Sequence, residues 1–147
     1  MKAINKIISI LLPAAIFTSC SIIYADDKKE ETKQYLTKVN PIITDVQVTS
    51  RNLSQRPMYL ETAVKEMRIY LDKLKAIKPP EFMTRQHKMI LLSFQKMRTG
   101  FYLLSKGDRS ASIPLVREGA GLLRIVVRDI VDFAKREGLV KEKEAGK

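Results

Sequence analysis

From Tyr35 onward, apolar residues return every three or four positions: Tyr35 and Leu36, Val39, Ile42 and Ile43, Val46, then Leu53. That spacing lays one apolar stripe along an α-helix. Pro41 lies inside the run and removes a backbone donor, so a kink or short break is expected near Asn40. Residues 46–54 turn polar and β-branched, and the helical pattern is weakest there. Ser54-Gln55-Arg56-Pro57 reads as a turn, with Pro57 suited to the first turn of the next helix. A second stripe, from Leu60 through Val64, Met67 and Leu71 to Leu74 and Ile77, predicts a helix over 58–77, stopped by Pro79 and Pro80.

The third stripe runs Met83, His87, Ile90, Leu91, Phe94, Met97, Phe101 and Leu104. It closes at Gly107, which can take positive φ just past a helix end. Asp108 then suits the N-cap of a fourth helix over 109–136. Nine of the 13 residues in 122–134 are apolar, so this helix should pack on more than one side. Pro114 should tighten or kink its beginning, while Gly119 and Gly121 would let a neighbouring helix approach closely. No strand pattern and no repeat of fixed period competes. Four helices joined by short turns predict an all-α fold, an antiparallel four-helix up-down bundle over 26–138, with a charged tail at 139–147.

The front of the chain breaks this pattern. Two lysines, Lys2 and Lys6, precede an apolar run at 7–17, then small and polar residues, then Asp26-Asp27-Lys28-Lys29. This order reads as a signal peptide, and the run is too short for a spanning helix of about 20 residues. Cleavage after Ala25 is favoured, giving a signal peptide at 1–25. The alternative is a lipobox at Phe17-Thr18-Ser19-Cys20, which would remove 1–19 and acylate Cys20 as a membrane anchor. The expected location is the periplasm or cell envelope.

Composition adds charge. The 147 residues carry 27 Lys and Arg against 16 Asp and Glu, a formal net charge of +11. A basic balance favours anionic surfaces such as lipid headgroups. Export lowers the case for nucleic acid, and the aromatic interleaving of single-strand binders is missing. Cys20 is the one cysteine, so the folded part must rely on a packed core.

Candidate chemistry is sparse. His87 is the one histidine and falls on the core-facing stripe. A single His without a nearby Cys gives too few ligands for a dedicated metal site. Haem held by His87 with Met58, Met67, Met89 or Met97 is one alternative, but methionines at helical spacing usually fill core gaps. Glu61, Glu66, Asp72, Glu118, Asp129 and Asp132 offer carboxylates, most of them beside Lys or Arg, where ion-paired solvent faces are expected. With no base–nucleophile pair and no phosphate loop, no catalytic activity and no cofactor are expected. Arg117, Arg124, Arg128 and Lys135 recur at spacings of seven, four and seven on the fourth helix. They form a candidate anion-binding ridge, set against the plainer reading of a solvent stripe with Asp132 at i+4 from Arg128.

The layout Leu71/Leu74, Pro79-Pro80, Phe82, His87, apolar residues to Leu104, Gly107-Asp108 and Glu118-Gly119 resembles that of small exported bacterial helical proteins, many of them lipoproteins of unknown function. Phe17 departs from their lipobox. The resemblance covers about a third of the chain and implies an exported helical bundle without an assigned activity. The expected role is therefore binding or interaction in the bacterial cell envelope, with an envelope protein or an anionic surface as partner. The alternative is a small-ligand carrier, for haem or an anionic lipid.

Overall fold

A computed structural model describes residues 27–139. Four helices follow one another: α1 (Asp27–Gln55), α2 (Leu60–Lys75), α3 (Thr84–Ser105) and α4 (Arg109–Arg136). Short 3₁₀ turns, Pro57–Tyr59 and Glu81–Met83, lead into α2 and α3. No strand occurs among the described residues. The fold is the all-α, antiparallel four-helix bundle that the pattern predicts. The expected signal segment, Cys20 and tail residues 140–147 lie outside the described residues.

The stripes become the core. Val39, Val46, Met67, Leu74, Ile90, Phe94, Met97 and Val126 are wholly buried. Each such side chain contributes about 1.5–3 kcal/mol on leaving water. Phe82 at the start of the α3 segment stacks on Phe133 near the end of α4, centroids 5.7 Å apart, and closes that end of the bundle.

Three expectations need correction. α1 runs unbroken through Pro41. The lost donor is tolerated because Pro41 lies on the exposed face while Val39, Ile42 and Ile43 around it are buried. The polar stretch after Val46 stays helical because its side chains find partners: Ser50 donates to the Val46 carbonyl and Thr49 to Glu66. The second helix is shorter than the stripe implied, starting at Leu60 and ending at Lys75. The prolines at 79 and 80 hold the chain extended, with ψ 149° at Pro80, and residues 76–80 make the corner.

The end of α3 is set locally. Gly107 takes φ 84°. Its N–H bonds to Leu104 O and the Asp108 N–H to Leu103 O, both at 3.0 Å, which is a Schellman closure. Asp108 then accepts from Ala111 N at 3.1 Å and caps α4.

The tightest helix pair is α3 and α4. A Cβ on Gly119 would stand 2.7 Å from the Ser93 carbonyl oxygen and 2.7 Å from Met97 Cγ. A Cβ on Gly100 would stand 2.5 Å from Val116 Cγ2 and 3.1 Å from the Ser112 carbonyl oxygen. The contact is reciprocal: Ser93, Met97 and Gly100 on α3 meet Gly119, Val116 and Ser112 on α4, at the same spacing of four and three. Ser93 also donates to the Gly119 carbonyl at 2.8 Å. Gly121, expected to share this role, faces open space.

Candidate functional site

His87 sits where the third stripe puts it, 6% exposed. Its Nδ1 lies 3.1 Å from the Tyr35 hydroxyl of α1, and the two rings meet edge to face at 5.8 Å. Burial lowers the His87 pKa from its ordinary 6.5 and raises that of Tyr35. Both groups are therefore neutral at pH 7. Either the phenol donates to a bare Nδ1 or the Nδ1–H donates to the phenol oxygen, according to tautomer. The pair ties α1 to α3 and leaves Nε2 as the ring nitrogen for any further partner. The methionines weighed as second haem ligands scatter. Met67 and Met97 are wholly buried core, Met89 is half-buried, and Met58 is 97% exposed. Among the described residues no group of three or more His, Cys, Asp or Glu is placed to hold a metal ion.

The candidate carboxylates divide by surroundings. Glu118 pairs with Lys96 at 3.0 Å, and Asp72 with Lys75 at 4.0 Å. Asp129 and Asp132 line an open groove of about 560 Å³ with Gln86, Phe133, Lys135 and Arg136. Glu66 is the one drawn into a network. It accepts from Thr49 at 2.6 Å and from Tyr59 at 2.5 Å, and Thr49 also meets the Tyr70 hydroxyl at 3.2 Å. The hydrogen bond to Glu66 raises the Tyr59 pKa, and desolvation raises that of Tyr70. Tyr59, Glu66 and Tyr70 stand seven and four residues apart, a spacing that puts them on one helix face. That spacing is the only trace of the network in the sequence. The network pins the end of α1 to α2, and no cleft opens onto it among the described grooves.

Arg117, Arg124, Arg128 and Lys135 are all exposed on α4. At 100° per residue they fall within an arc of roughly 40°, turned about 140–180° away from the Gly119 side that meets α3. The ridge therefore lies on the flank of α4 remote from α3. It runs over 18 residue steps, about 27 Å of helix. His87 belongs to the bundle interior, so the structure separates it from the four basic residues. No helix among the described residues is long and apolar enough to cross a membrane.

Comparison with protein-family profiles, with curated proteins and with solved structures finds no match for this chain.

Proposed function

We propose that this chain is an exported, non-catalytic binding module of the bacterial cell envelope, and that it engages an anionic surface through the α4 ridge. The observation that carries this reading is the alignment of Arg117, Arg124, Arg128 and Lys135 on one exposed flank, backed by a packed core. Four cations in line along about 27 Å fit an extended anionic surface better than a single small ion. Each basic residue near an anionic bilayer contributes about 1 kcal/mol. The test is cosedimentation with vesicles containing phosphatidylglycerol. Arg124→Glu with Arg128→Glu should weaken binding by more than roughly tenfold, and added salt should weaken the parent protein in the same direction. Binding unchanged in the double variant would overturn the reading.

A further inference from the structure

A second face of the bundle carries a pattern that the ridge does not use. On α3, Arg85, Met89, Leu92 and Lys96 recur at spacings of four, three and four. On α4, Glu118, Leu122, Ile125 and Asp129 recur at the same spacings. Each row spans an arc of roughly 60° on its helix. The ion pair between Lys96 and Glu118 shows that both rows flank the same side of the α3–α4 seam. The antiparallel register carried on from that pair, and from Phe82 stacked on Phe133, sets Leu92 level with Leu122, Met89 with Ile125 and Arg85 with Asp129. One row is cation–apolar–apolar–cation. Its neighbour is anion–apolar–apolar–anion. Leu92 is 44% and Ile125 43% exposed in the middle of them.

From this face we infer that the chain associates with a second copy of itself in parallel, two-fold fashion across the outer side of the α3–α4 seam. A two-fold axis running along the helices sets α3 of one copy against α4 of the other at the same height. Each basic row then meets an acidic row, and Leu92 and Ile125 of both copies close the centre. An axis across the helices would instead set basic row on basic row, so charge selects the first arrangement. An anionic surface is a poor occupant because the α4 row would repel it. The chain itself carries the complement at the matching spacing. The matched rows run over 11 residue steps, about 17 Å, and the face is two helices wide, on the order of 350 Å² per copy, the size of a weak, transient contact. The dimer is accordingly weak and concentration-dependent. It leaves the α4 ridge outside the interface, so its test is independent of the ridge.

The experiment is sedimentation velocity from about 5 μM to about 1 mM, a range over which a weak dimer shows its concentration dependence. The parent chain should pass from monomer to dimer. Leu92→Glu with Ile125→Glu should remain monomeric while its helical circular dichroism and cooperative melt persist. Arg85→Glu with Lys96→Glu should be monomeric alone, as should Glu118→Lys with Asp129→Lys, and an equimolar mixture of the two should form a heterodimer. A parent chain monomeric throughout, or a dimer indifferent to these changes, would overturn the inference. If the parent chain is monomeric throughout, loss of vesicle binding by the Leu92→Glu/Ile125→Glu chain would assign the face to lipid instead.

Discussion

The hydroxyl of Tyr35 and the Nδ1 of His87 meet at 3.1 Å across 52 residues of sequence, joining the first helix to the third through neutral groups. Burial holds the His87 pKa below its unfolded value of 6.5. The unfolded chain therefore binds the proton first as pH falls. Stability owed to neutral His87 is fully present above pH 6.5 and is lost below it, until the folded pKa is reached. Melting temperature measured from pH 7.5 down should fall more steeply for the parent than for His87→Gln. Equal slopes would show that His87 titrates alike in both states. Tyr35→Phe, which removes the hydroxyl alone, should cost about 1 kcal/mol at pH 7.

The α3–α4 crossing makes two glycines in one segment behave oppositely. Gly119→Ala places a methyl against the Ser93 carbonyl, which cannot swing aside as a side chain can. Its expected cost is about 1–3 kcal/mol. Gly121 faces open space within the same helix, so Gly121→Ala should stabilise by about 0.5–1 kcal/mol through helix propensity. Urea unfolding of the two variants checks the sign of each change. Two results of the same sign would contradict the crossing geometry.

The tyrosine–carboxylate network has a spectroscopic reporter. Because the bond to Glu66 is the largest cause raising the Tyr59 pKa, Glu66→Gln should return that phenol towards its ordinary value of 10.0. Ultraviolet titration, with Tyr59→Phe identifying the signal, follows the shift. Gln keeps one acceptor oxygen, so one of the two hydrogen bonds, from Thr49 or from Tyr59, is lost and the other loses its charge, and stability should fall by about 1–3 kcal/mol. A Tyr59 titration unmoved by the substitution would remove Glu66 from its environment.

What could be read in advance was what depends on neighbours a few residues away. The stripes, the Gly107 closure and the Asp108 cap follow from local spacing and local hydrogen bonds, and the structure places them accordingly. The features that escaped depend on residues distant in sequence. Gly100 was not distinguishable from any helical glycine until Val116 and Ser112 were brought against it. Pro41 signalled a break because nothing nearby in sequence shows that its flank stays in solvent. Glu66 looked like one more surface carboxylate until Thr49 of α1 reached it. The exposure of the α4 ridge was legible from its seven–four–seven spacing, since a helix repeats its faces at those intervals. The nature of the partner proposed for it was not, because four exposed cations specify charge and little shape.

The reciprocal packing of Ser93, Met97 and Gly100 on Gly119, Val116 and Ser112 has a kinetic consequence. These contacts lie on two consecutive helices separated only by residues 106–108, so closing them costs little chain entropy. The α3–α4 hairpin is the expected nucleus of folding, with α1 docking late through Val39, Val46 and Tyr35. Val116→Ala should slow folding, with a φ-value above about 0.5, whereas Val46→Ala should chiefly speed unfolding, with a value near zero. Chevron plots of the two variants report both numbers, and the reverse ranking would place the nucleus at the other end of the chain.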